Sequence, residues 1–313
     1  MITAQNTSHI LMIRPVSFRY NEQTATNNHY QRIIDTVRPD EVQPRALAEF
    51  DGFVNVLRNA GVQVTVIDDT IDPDTPDSIF PNNWVSFHAD GRVYLYPMLA
   101  PNRRLERRRD IIDSLAKTHN VADVVDLSAL EDEGEILEGT GSLVLDRANM
   151  VAYACLSLRT THRALDAWAG RKGFKVVRFT ATQRHGDGYS PIYHTNVMMS
   201  VGAELAVVCA DTVRDPSERE MLLKSLRDAN LRIILISEEQ KNSFAGNMLQ
   251  LIDDQGQRLM VMSSQAYGSL TSDQLADISR SNKIIHAPLD VIETFGGGSA
   301  RCMMAEVFLP AKG

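Results

Sequence analysis

The chain has 313 residues, 43% of them hydrophobic and 23% charged, and a formal net charge of -8. This is an ordinary globular composition with ample material for a core, and its negative balance excludes a nucleic-acid backbone as partner. Three scattered cysteines exclude a disulfide framework and suit a reducing cytoplasm; a polar start over residues 1–10 and the lack of any long apolar run point away from secretion and from a membrane.

In chain order, residues 10–14 read as an apolar strand, 14–44 as a long irregular segment, 46–60 as a helix and 62–67 as a second strand. After an irregular stretch over 68–79, one unit recurs: a turn, a hairpin-like strand pair, a helix and a closing strand. The strand pairs are 84–87 with 93–96, 142–145 with 150–155, 197–201 with 206–209, and 248–252 with 258–262. The helices are 104–117, 161–172, 216–229 and 272–281, and the closing strands are 124–127, 175–179, 232–236 and 283–286. Cys155 and Cys209 fall inside apolar strands and read as core. The arginine run 103–109 reads as one solvated helix face.

The turns are Phe80-Pro81-Asn82-Asn83, Leu137-Glu138-Gly139-Thr140, Tyr193-His194-Thr195-Asn196, Phe244-Ala245-Gly246-Asn247 and Ser299-Ala300-Arg301-Cys302. Their last residues stand at 83, 140, 196, 247 and 302, steps of 57, 56, 51 and 55 residues. A near-constant step of this size marks a repeat architecture. The fifth unit is split: its turn and first strand, 303–309, close the chain, and its remaining strands and helix open it. The expected fold is α/β, a five-bladed propeller of ββαβ units in a single domain over 1–313, its ring closed by joining the end segments.

Five equivalent turns pointing at one axis would bring Asn82 or Asn83, Glu138, His194 or Asn196, Asn247 and Cys302 to one pocket. Cys302 follows Gly296-Gly297-Gly298, a run that lets the backbone turn where side chains resist. A thiol, an imidazole and a carboxylate from three blades are the parts of nucleophilic thiol catalysis: Cys302 attacks, His194 moves protons and Glu138 holds the imidazole. No residue pattern calls for a metal or a cofactor.

These turns, with Gly296-Gly297-Gly298-Ser299-Ala300-Arg301-Cys302-Met303, resemble the signatures of the guanidino-group modifying enzymes, the pentein superfamily. The resemblance implies a ring with a central active site and covalent chemistry on cysteine. It also implies that Pro101-Asn102-Arg103-Arg104-Leu105-Glu106 matches a PxRRxE segment whose arginine, Arg103 or else Arg104, binds a substrate carboxylate. Asp77 would take the α-ammonium and Phe80 would line the aliphatic arm.

Arginine deiminases in this superfamily carry aspartates at the places of Asn83 and Asn196. Two amides suit a neutral ureido group better than a guanidinium, whose charge they would leave unpaired. The sequence is therefore most similar to the citrulline-utilisation hydrolases, and the expected reaction is cleavage of the citrulline ureido group to ornithine, ammonia and carbon dioxide. Other readings are an arginine deiminase, a dimethylargininase, an amidinotransferase, or a non-catalytic binding protein of the same fold. The expected partner is a small amino-acid substrate, and self-association into a homo-oligomer is allowed.

Overall fold

Apolar strands and intervening helices pair as the repeat requires. The computed structural model describes residues 4–312. In chain order its strands are β1 (His9–Arg14), β2 (Gln63–Asp68), β3 (Val85–Phe87), β4 (Arg92–Leu95), β5 (Asp123–Asp126), β6 (Val144–Asp146), β7 (Val151–Cys155), β8 (Lys175–Phe179), β9 (Thr182–His185), β10 (Gly188–Pro191), β11 (Met199–Val201), β12 (Leu205–Val208), β13 (Arg232–Leu235), β14 (Leu249–Ile252), β15 (Arg258–Ser263), β16 (Lys283–Ala287) and β17 (Ala305–Glu306). They form five three-stranded sheets, β17-β1-β2, β3-β4-β5, β6-β7-β8, β11-β12-β13 and β14-β15-β16, with β9 and β10 apart as a hairpin.

Every sheet pairs its first two strands antiparallel and its last two parallel. A parallel partner needs a crossover, which the helices Pro39–Asn59, Arg109–Leu115, His162–Lys172, Pro216–Asp228 and Ser272–Ser279 supply. The split unit forms across the chain: Ile10 pairs with Glu306 and Leu11 with Ala305. Strands such as β12 are buried along their whole length, which explains why they read as apolar runs rather than alternating ones. Cys155 and Cys209 are fully buried, and burial pushes both thiols up to about 12.

Three elements depart from expectation. The helix over 104–117 is broken into Pro101–Arg104 and Arg109–Leu115, because its arginines are pulled to different partners: Arg103 to Glu106, Arg107 to Glu131 and Arg108 to Asp110. The run is thus no solvated face, and Arg103 is buried. The first long helix starts at Pro39 rather than 46, secured by reciprocal bonds between Arg38 and Glu41 that outweigh the internal Pro44. Of the strand over 303–309 only Ala305–Glu306 enters a ladder, since residues Ala300–Met303 wind into a tight helical turn.

The five turns are tied to one another. Asn82 Nδ2 donates to the Arg301 carbonyl at 3.3 Å and Thr140 Oγ1 to the Asn82 carbonyl at 3.3 Å. Thr195 Oγ1 donates to the Ser142 carbonyl at 2.6 Å and Asn247 Nδ2 to the Asn196 carbonyl at 3.0 Å. The Arg301 N–H donates to Asn247 Oδ1 at 3.0 Å. Followed from bond to bond, these contacts visit every turn and return to the first. Among the described residues no β-ladder joins one sheet to another, so small separate sheets are held by these turns and by apolar packing.

Candidate active site

Three of the turns bring Cys302, His194, Asn83 and Phe80 to one small cavity, where Asp77 and Arg103 join them and Gly296–Gly298 close one side. Cys302 is 4% exposed in the turn Ala300–Met303. Its Sγ lies 3.2 Å from Asn247 Nδ2 and 3.6 Å from Asn196 Nδ2. Asn247 is oriented by the Arg301 N–H on its Oδ1, so its NH2 faces both the Asn196 carbonyl and the sulfur.

Behind the cavity, His194 Nε2 stands 2.7 Å from Glu138 Oε2, and both side chains are buried. Burial alone would raise the Glu138 carboxyl, but Arg159 at 3.3 Å, the His194 hydrogen bond and the Arg103 charge outweigh it and hold the group well below the usual carboxylate range. An ionised carboxylate only accepts, so Nε2 carries the proton and Nδ1 keeps a lone pair. Burial draws His194 down to about 4 against the pull of Glu138, leaving a neutral imidazole near pH 7. Nδ1 sits beside Gly141, where an added Cβ would lie 2.8 Å from it and 2.3 Å from Asn83 Nδ2. Only glycine lets imidazole and amide approach there.

Asn83 is held by Arg103, whose Nη1 donates to Oδ1 at 2.9 Å. A guanidinium has no acceptor, so the amide oxygen must face it, and Asn83 Nδ2 is left buried with no partner among the described residues. Arg103 also donates through Nε and Nη2 to Glu106 at 2.8 and 2.9 Å and reaches the Phe80 carbonyl. Most of its donors are therefore committed to the protein. Asp77 accepts from Asn21 Nδ2 at 2.8 Å and Thr24 Oγ1 at 2.9 Å through Oδ2, while its Oδ1 is unpartnered. Phe80 packs so close to the glycine run that a Cβ on Gly298 would lie 2.8 Å from its ring.

Two of the expected binding residues lie outside the lining of this cavity. Arg104 turns away from the cavity to the Met98 and Leu99 carbonyls and to Glu131, as its neighbour takes the inward position. Asn196 flanks the sulfur and lines a crevice with Thr140 and Arg301 rather than the wall opposite Asn83. Sequence reasoning missed Arg159, which is buried against Glu138 and held by Asn27. A signal existed: Arg159 follows the middle strand of its sheet, as Arg103 does. The irregular segment over 14–44 does cover the site, with Asn28 and Gln31 donating to the carbonyls of Gly296 and Gly297. At the tip of the β9–β10 hairpin, His185 stacks on His29 at 3.8 Å, outside this cavity.

Among the described residues, no helix is long and apolar enough to cross a membrane, and no three His, Cys, Asp or Glu side chains group as a metal set. A sequence family described as N,N dimethylarginine dimethylhydrolase, eukaryotic, matches residues 14–309. No curated protein sequence matches the chain. Among solved structures, the N-terminal domain of ArgZ, an arginine dihydrolase from the ornithine-ammonia cycle in cyanobacteria, superposes with a TM-score of 0.71 at 16% identity, covering 96% of this chain and 98% of that one. AgrE in complex with ornithine and NAD+ gives 0.71 at 19% identity over 98% of this chain but 40% of its own. A dimethylarginine dimethylaminohydrolase bearing an S-methyl-L-thiocitrulline adduct gives 0.62 at 17% identity, covering 96% and 99%. At these identities the superpositions speak to the fold.

Proposed function

The chain belongs to the N,N dimethylarginine dimethylhydrolase family and is a hydrolase of guanidino-type C–N bonds, and from that premise we propose that its substrate group is the neutral ureido group of citrulline. The observation that carries this reading is the buried, unpartnered NH2 of Asn83, fixed in orientation by Arg103. An unmatched buried donor costs about 1–3 kcal/mol, and a ureido oxygen supplies the acceptor it lacks. A guanidinium carries only donors.

In the proposed mechanism, His194 Nδ1 takes the Cys302 thiol proton as sulfur bonds to the ureido carbon. One C–N bond then breaks as that proton passes to the departing nitrogen. Water, activated by the same Nδ1, attacks the S-linked carbon and the C–S bond breaks. The carbamate released loses carbon dioxide, so citrulline and water give ornithine, ammonia and carbon dioxide. Glu138 accepts from Nε2 throughout and stabilises the transient imidazolium. Asn247 and Asn196 hold the sulfur, Asp77 offers its free oxygen to the α-ammonium, and Arg103 orients Asn83. We also read the five sheets as blades of one ring-shaped domain, a reading supported by the circuit of hydrogen bonds through the turns.

Arginine as the starting substrate is a second reading, favoured by the likeness to ArgZ and by Glu138 and Asp77 beside the cavity. Turnover of citrulline, arginine and methylated arginines, followed by ornithine and ammonia release, separates the two. Citrulline should be preferred, and Cys302→Ala should lose at least about 10³-fold in rate while keeping its fold. Retained turnover in that variant would reject the mechanism.

A further inference from the structure

A second cavity opens between residues 29–32, strand β9 and the helix Asp290–Gly296. Two buried side chains line it, each pinned at one end and free at the other. Glu293, 2% exposed, accepts from Ser299 Oγ through Oε1, and its Oε2 has no partner among the described residues. Gln183, 5% exposed, accepts from Lys241 Nζ at 2.8 Å through Oε1. An ammonium can only donate, so the free end of Gln183 is its NH2, which also lacks a partner. The exposed guanidinium groups of Arg32 and Arg184 line the same cavity.

We propose that this cavity binds a free α-amino acid, its ammonium on Glu293 Oε2 and its carboxylate on Gln183 Nε2 and the arginine rim. The ammonium supplies the donor that the carboxyl lacks, and the carboxylate supplies the acceptor that the amide lacks. Burial pushes Glu293 up to about 7 against the Ser263 and Ser299 hydroxyls, and a bound ammonium favours its ionised form. The site touches the catalytic loop. Glu293 holds Ser299, whose carbonyl accepts the Cys302 N–H at 2.9 Å, and the Gly297 N–H donates to the Glu293 carbonyl at 3.0 Å. An amino acid bound there acts on the turn that carries the sulfur, from outside the catalytic cavity.

Crystals of the full chain soaked in L-alanine, L-ornithine or L-glutamate test the assignment. One of them should span Glu293 and Gln183. In solution, Gln183→Glu keeps the acceptor for Lys241 and puts an oxygen where the donor stood, so equilibrium dialysis with the same amino acid should show at least about tenfold weaker binding at one site per chain. Water alone in the cavity of every soaked crystal, or unchanged stoichiometry and affinity in a folded Gln183→Glu variant, overturns the proposal. The soak uses the unaltered protein and decides the matter if the variant does not fold. Both readouts are of binding and not turnover, so failure here leaves the citrulline reading standing, and the converse holds.

Discussion

Arg103 Nη1 holds Asn83 Oδ1 at 2.9 Å and thereby decides which end of the amide faces the catalytic cavity. Asn83 can then offer only N–H to a substrate, although its side chain carries both a donor and an acceptor. In the proposed function, Arg103 thus sets specificity without touching substrate.

Asn83→Asp would replace that donor with a carboxylate oxygen. Turnover of citrulline should fall by about 10-fold or more while guanidino compounds gain, since a carboxylate pairs with a guanidinium by charge-assisted hydrogen bonds. Ratios of kcat/KM for citrulline and arginine read the switch. An unmoved ratio would remove the amide basis for substrate choice.

Gly141→Ala should be far more damaging than an ordinary surface change. Its Cβ would meet Asn83 Nδ2 at 2.3 Å and His194 Nδ1 at 2.8 Å, so one of the two must move out of place. Displacements of this size cost about 10²-fold in rate. Steady-state kinetics with a parallel melting curve would separate this loss from unfolding.

Adjacent arginines should behave differently. Arg103→Gln strands Glu106 in the interior, and breaking a buried pair in this way costs about 3–5 kcal/mol. Arg104→Gln breaks only partly exposed contacts and should cost no more than about 1 kcal/mol. Urea denaturation of the two variants makes the comparison, and equal losses would contradict the burial of Arg103.

The buried histidines should weaken the fold on acidification before ordinary carboxylates titrate. Burial draws His194 and His9 each to about 4, with the His119 charge adding to the effect at His9. Between pH 6.5 and 4 the unfolded chain therefore binds protons that the folded chain refuses, and stability declines as pH drops through that window. Glu138, held below the usual range, contributes stability that is complete above its unfolded value and is lost only as pH falls through its lower folded one. Burial pushes Glu106 and Glu293 up to about 7, and they act in the opposite sense over the same window. The histidine contribution is therefore read as a difference: urea midpoints from pH 7 to 4 should decline less, or rise more, in His9→Asn than in the unaltered protein.

Much of the architecture was legible because the units repeat. The step between Asn83, Thr140, Asn196, Asn247 and Cys302 located the turns, and the apolar runs located the sheet strands to within a residue or two, except the one expected over 303–309; the polar β9–β10 hairpin was missed. Cys302, His194 and Glu138 stood out because they occupy equivalent tips, and the structure brings Cys302 and His194 to one cavity with Glu138 behind. What stayed hidden depended on partners distant in sequence. The inward turn of Arg103 and outward turn of Arg104 follow from Glu106, Asn83 and Glu131, and neighbouring arginines carry no mark of which will be buried. Arg159 owes its place to Glu138 and Asn27, and the need for glycine at 141 comes from side chains of two other turns.

The pairing of β17 with β1 has a consequence for how the protein is made. A chain under synthesis carries the imidazole and its carboxylate long before the sulfur, and the strand just beyond the sulfur must return to β1, made far earlier, to find its neighbour. Translation products that stop before residue 302 therefore lack this thiol altogether, and the sheet that flanks it is completed only once late and early segments have met.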